Sequence, residues 1–329
     1  MNRAELDSYI QQMAKSDFNK IEVITIVDKI LTYKDESIVP ASLTLVFDDI
    51  AYAHLMVGDA ANVTDWNTFL NLPMNGSPFT GVTVIGNSVA LVGGSDINLT
   101  NGGDYSSNLF VDNLHIISVE DTGCVTRIGD GLFYGALNLT SVICSDVTYV
   151  GAYPFGAEDY QYLAYLSFPS LVHIITDEDY CFSYIGNQGG VDLVIDLPNL
   201  EIIDGDSVFA VNKGDSMVVN APKLREINDV NTFIDSTSLK NISLPLLEII
   251  SCVGVNDNTF RGLINIETIS IPSCTTLGNT VGNNNVFINT IGATITLTIP
   301  SALMTCNAGN PDGDIAYLQA NNTVTIVTV

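Results

Sequence analysis

The sequence predicts a mainly β chain. An amino-terminal helical segment and a small α/β capping region lead into a repeat solenoid that fills the carboxy-terminal two-thirds. Three observations predict it. Prolines recur at near-regular intervals, apolar residues hold fixed offsets around them, and a phenylalanine returns late in each interval.

Residues 1–42 come first. Leu6, Ile10 and Met13 share one helical face, and Ser16-Asp17 offers a cap to a second helix from Phe18 to Tyr33. Its apolar residues fall in two seams: Val23, Ile26, Ile30 and Tyr33, and beside them Ile24, Val27 and Leu31. So wide an apolar arc must be buried. β-Branched residues in both seams favour three-stranded association, so these seven residues are the expected oligomerisation and anchor residues of a homotrimer. Residues 34–42 read as a polar linker.

Residues 43–114 are the expected small α/β or β capping domain. Ser42–Phe47 alternates as a strand, Asp65–Leu70 reads as a short helix, and Val82–Ile85 and Ser88–Val92 flank Gly86-Asn87 as a two-residue hairpin. A cap is needed because a bare terminal repeat exposes its core.

Residues 115–329 carry the repeat. Pro169, Pro198, Pro222, Pro245, Pro272 and Pro300 follow at intervals of 29, 24, 23, 27 and 28. Three before each proline stand Leu166, Ile195, Val219, Ile242, Ile269 and Leu297; one before stand Phe168, Leu197, Ala221, Leu244, Ile271 and Ile299. Two after stand Leu171, Leu200, Leu224, Leu247 and Cys274; five after stand Ile174, Ile203, Ile227, Ile250 and Leu277. Val142, Cys144, Val147 and Val150 keep the spacing with Ser145 in the proline place. The alternation before proline is a short strand with one buried face. Proline ends pairing because it has no N–H. Phe133, Phe155, Phe182, Phe209, Phe233, Phe260 and Phe287 plug the back of each coil. The interval fits the leucine-rich class better than all-helical repeats. A final strand is expected near Val324–Val329.

Composition limits the function. Asp and Glu number 37 against 11 Lys and Arg, a net charge of −26, although only 15% of residues are charged. A chain so poor in bases lacks the patch that nucleic acid or an anionic membrane needs. No signal peptide begins at Met1 and no transmembrane run occurs, so no membrane insertion is expected. Cys124, Cys144, Cys181, Cys252, Cys274 and Cys306 lack zinc spacing and read as small buried hydrophobes. His54, His115 and His173 stand near apolar strands without a nucleophile motif, so no catalytic residue and no enzyme is expected. No cofactor is expected either. Asp177-Glu178-Asp179, Asp204-Gly205-Asp206 and Asp312-Gly313-Asp314 read first as turns and only second as calcium sites. Tyr149, Tyr153, Tyr160, Tyr162 and Tyr165 form an aromatic cluster that suits either a binding surface or loop cover.

Leu139–Phe155 (LTSVICSDVTYVGAYPF) and Leu239–Phe260 resemble the BspA type of leucine-rich repeat, L-x-x-[IV]-x-[IL]-P-x-x-[VL]-x-x-[IV]-G-x-x-x-F, over roughly residues 115–329. Its glycine survives at Gly151 and is mostly lost later. The resemblance implies surface adhesion or a phage protein, and brings no catalytic residues. Asp65–Asn87 and the opening MNRAELDSYIQQMA resemble virion structural proteins of phages of Bacteroidota. Together these lead to an expected phage virion protein, located in the particle. Its amino-terminal helices would anchor it to capsid or tail proteins, and its solenoid would reach host cell-surface carbohydrate or protein. The alternative is a bacterial BspA-type surface adhesin; a solenoid hydrolase ranks third.

Overall fold

The computed structural model describes residues 41–48, 79–99, 110–175, 179–187, 192–228, 230–251, 258–278 and 286–329. Met1–Pro40 and Ala41–Val329 are separate units. The seam residues Val23, Ile24, Ile26, Val27, Ile30, Leu31 and Tyr33 lie outside the described residues, as does the short helix expected at Asp65–Leu70.

A typical rung of the solenoid has a front strand, a proline turn, a short side strand and a back arch. The front strands Ile116–Asp121, Ser141–Cys144, Tyr165–Ser167, Asp192–Asp196 and Ser216–Asn220 stack in parallel. Asn241–Ser243, Thr268–Ser270, Thr294–Ile299 and Thr323–Thr328 form a second parallel sheet. The two sheets touch at the single bridge Met217–Leu239. The side column stacks His173–Ile174, Ile202–Ile203, Glu226–Ile227, Ile249–Ile250 and Thr276–Leu277.

The proline frame is the pairing register. Leu166 pairs with Ile195 and Ile195 with Val219, and Ile242 pairs with Ile269 and Ile269 with Leu297. Ile174, Ile203, Ile227, Ile250 and Leu277 pair in turn on the side. All these residues are buried. The ladder runs one residue past each strand: Phe168, Leu197, Leu244 and Ile271 donate to Asp196, Asn220, Ser270 and Thr298 at 2.9–3.1 Å. Proline then has no N–H to give. It sits second in a four-residue turn closed by Leu171→Phe168, Leu200→Leu197, Leu224→Ala221, Leu247→Leu244 and Cys274→Ile271. Its fixed φ presets that turn. In the first rung Asp121 closes the corner instead. Its carboxylate accepts the N–H groups of Gly123, Cys124 and Val125 at 3.0–3.2 Å, while burial pushes its pKa up.

On the back, Phe110, Phe133, Phe155, Phe182, Phe209, Phe233, Phe260 and Phe287 form one stack through the molecule. Neighbouring centroids lie 5.1–6.3 Å apart and ring planes differ by 6–16°. Phe110 extends the marker one rung earlier than the spacing suggests. Gly151 stands where two rungs touch. A Cβ there would lie 2.7 Å from the Asp130 backbone nitrogen and 3.0 Å from the Gly129 carbonyl carbon. Backbone cannot rotate aside, so Gly151→Ala is expected to cost about 2 kcal/mol. The check is a lowered urea midpoint with an unchanged m value.

The fold class expected at the amino end needs correction. The described part of that region is strand, not α/β. Ser42–Phe47 pairs antiparallel with Ile116–Asp121, and Ser88–Val92 and Gly81–Ile85 follow it outward. The hairpin closes on Gly86-Asn87 as expected, with Gly86 at φ +59°. Antiparallel strands satisfy the N–H and C=O groups of the first rung's edge, which a helix laid across it cannot do. Among the described residues the one α-helix is Gly313–Asn321, near the carboxy terminus. It forms the back of the last rung, behind the final strand. Asp312 caps it by accepting from the Asp314 N–H.

Candidate functional site

Each back arch must reverse direction around its phenylalanine, and left-handed residues on one or both sides of it do this. Two residues before phenylalanine stand Gly131, Tyr153, Tyr180, Ser207, Asn231 and Asn258, with φ from +36° to +63°. Two after stand Asp112, Gly135, Tyr184, Val211, Asp235, Gly262 and Asn289, with φ from +53° to +71°. Between them the arch is locked to its neighbour. Phe133, Phe182, Phe209, Phe233 and Phe260 each donate to the carbonyl just before the next phenylalanine, at 2.7–2.9 Å.

Glycine takes a left-handed φ without cost, and Asn or Asp with little. Val211 excepted, the frame uses Gly, Asn, Asp or Ser wherever it does not use tyrosine. Tyr153, Tyr180 and Tyr184 are bulky exceptions gathered in two adjacent rungs. The Tyr153 and Tyr180 rings stack at 4.6 Å with planes 11° apart. Tyr184 leans on both, at 5.7 and 6.2 Å. All three are half-buried, and Tyr134 extends the patch across Gly156.

The cluster expected from sequence is therefore redrawn. Tyr153 remains, joined by Tyr180 and Tyr184. Tyr165 sits on the front and donates to Asp196, Tyr149 lies under the Arg127 guanidinium at 3.5 Å, and Tyr162 is exposed. The side chain of Tyr160 lies outside the described residues. Counting from the phenylalanines finds the right three: Tyr153 and Tyr180 are two before, Tyr184 two after.

The other candidates are structural. His173 Nε2 lies 2.6 Å from Asp204 Oδ2, and Asn228 donates to Asp204 Oδ1 at 3.0 Å. His115 pairs with Asp48 at 3.2 Å; His54 lies outside the described residues. Asp206 accepts from Ser207 and Asn231. Asp312 caps the helix, and Asp314 accepts the Val286 N–H at 2.8 Å. In these acidic turns Asp179, Asp204, Asp206, Asp312 and Asp314 each accept from a protein donor through one carboxylate oxygen or more; Asp177 and Glu178 lie outside the described residues. Among the described residues no group of three or more His, Cys, Asp or Glu has metal-binding geometry. Cys124, Cys144, Cys181 and Cys274 are buried and Cys306 is exposed. Burial pushes the Cys124 and Cys274 thiols up to about 12.

A buried polar spine runs beside the phenylalanines. Asn212 donates to the carbonyls of Phe182 at 2.8 Å and Phe209 at 3.0 Å, and accepts the Ile185 N–H at 2.8 Å. Ser236 donates to Phe209, and Thr290 to Phe260 at 2.9 Å. No signal in the periodicity marks these residues, since each is a polar residue at an inward place.

Stacked rungs, a proline-turned front strand and a phenylalanine back define a leucine-rich-repeat solenoid, a class that binds by displaying surface. The family of the BspA type leucine-rich repeat region (six copies) matches residues 95–188, 178–290 and 225–307. These cover well over half of the chain, and the chain belongs to that family. Comparison with curated proteins and with solved structures finds no match.

These findings correct the expected virion fibre. The match is to the BspA repeat itself, with no virion protein beside it. The described helix stands at the carboxy end, built into the last rung rather than free to anchor. They favour the alternative reading, a BspA-type surface adhesin. Among the described residues no helix is long and apolar enough to cross a membrane.

Proposed function

We propose that this chain is a BspA-type adhesion module, displayed at a cell surface, that grips a surface polysaccharide or protein through Tyr153, Tyr180 and Tyr184. The observation that carries this is the left-handed tyrosine triad. Strain of about 1–2 kcal/mol per left-handed non-glycine residue persists where a side chain has a task, and strained residues gather at binding sites. Tyrosine offers an apolar face and a hydroxyl at low entropic cost, which suits recognition. The acidic surface, with net charge −26, turns the chain away from polyanions.

The test is the triple change Tyr153→Gly, Tyr180→Gly, Tyr184→Gly. Glycine relieves the backbone while removing the rings. Lost ring contacts, about 0.5–1.5 kcal/mol each, offset that relief, so the melting temperature is expected to stay near that of the wild type. Binding to whole cells and to a glycan array is expected to fall at least tenfold. Unchanged binding would sink the proposal.

A further inference from the structure

Among the described residues Thr323–Thr328 is the outermost strand of the second parallel sheet. Thr323–Thr328 pairs in parallel with Thr294–Ile299 over six residues without a bulge. Among the described residues no strand pairs with its other side. Thr323 donates to Ala293 and Val329 to Ile299, so odd-numbered N–H groups face the sheet. By the two-residue period the N–H groups of Val324, Ile326 and Thr328 face the open side. Soluble proteins guard such edges with proline, lysine, bulges or inward charges. Thr-Val-Thr-Ile-Val-Thr has none of these. Its inward residues Val324 and Ile326 are only half-buried, whereas Ile295 and Leu297 one rung below are buried.

Charge singles out the same end. The chain carries −26, yet after Glu267 its only Asp, Glu, Lys, Arg or His residues are Asp312 and Asp314. Each of these two is 1% exposed. Two copies repel each other over most of their surface but not here.

We propose that a second copy of this chain docks on this edge, strand to strand and antiparallel, about a two-fold axis at Thr325. That axis sets Val324 opposite the partner's Ile326, and Ile326 opposite the partner's Val324. Both residues then exchange their open-side hydrogen bonds, in the pattern of a hydrogen-bonded antiparallel pair. A two-fold axis normal to the sheet keeps inner faces together, so the half-covered apolar residues of the two copies close one core. An isologous contact of this kind closes at two copies. It is independent of the adhesion reading.

Sedimentation velocity on the full chain tests it. The wild type is expected to sediment as a dimer. Thr325→Lys sets two ammonium groups against each other at the axis, and Thr328→Pro removes an open-side N–H. Each is expected to give monomer with the melting curve of a folded solenoid. Thr296→Lys, on the outer face one strand in, is expected to remain dimeric. Hydrogen exchange on the wild type is a readout free of substitutions: the amides of Val324 and Ile326 are expected to gain protection as concentration rises. A wild-type monomer, a dimer that survives both edge changes, a trimer or open polymer, or amides indifferent to concentration each overturns the proposal.

Discussion

Asn212→Leu is expected to destabilise the solenoid by about 4 kcal/mol, more than any surface change. The side chain is 1% exposed and bonds to three backbone groups in two rungs. Leucine fills the volume but leaves the Ile185 N–H and the Phe182 carbonyl buried without their Asn212 partner. Each orphan costs about 1–3 kcal/mol. The Phe209 carbonyl keeps its bond from Ser236, which limits the damage there. Chemical denaturation measures the loss. A change below about 1 kcal/mol would mean that the spine is not what joins these rungs. Asn212→Asp should be no rescue, because a carboxylate cannot donate to the two carbonyls.

Phe233→Ala is expected to cost about 4 kcal/mol, through lost burial and the cavity left behind. Its ring lies 5.1 Å from Phe209 and 5.4 Å from Phe260, so the cavity opens between two rungs that cannot close over it. Rungs couple only to their neighbours. Hydrogen exchange should therefore show the arches of Phe209 and Phe260 losing protection first, while the rungs around Phe133 hold. The double change Phe209→Ala, Phe233→Ala should cost less than the two single changes together, since each then lacks the partner the other removed. A uniform loss of protection along the chain would contradict nearest-neighbour coupling.

The limits of the sequence are visible in particular residues. The proline offsets pointed to the inward residues, and Leu166, Ile195 and Val219 meet each other in register. The hairpin at Gly86 and the final strand Thr323–Thr328 were legible for the same local reason. The helix Gly313–Asn321 was not. It has nine residues, opens on glycine, and shows one turn of apolar spacing in Ile315 and Leu318. Its signal was the cap: Asp312 before the helix and Asp314 in its first turn. The same Asp-Gly-Asp reads in sequence as a turn, because a cap and a turn share their chemistry.

The sequence alone determined which residues face inward, because side-chain direction follows from a two-residue period and from proline's missing N–H. Only the tertiary structure decided which residues of different rungs touch. The proline intervals range from 23 to 29, so equal places in space are unequal counts in sequence. That is why Tyr153 meets Tyr180 and Tyr184 rather than Tyr149 and Tyr165. It is also why Asn212 at an inward place is a joint rather than a flaw: two of its three partners, Phe182 and Ile185, arrive from a rung that no local pattern aligns with it.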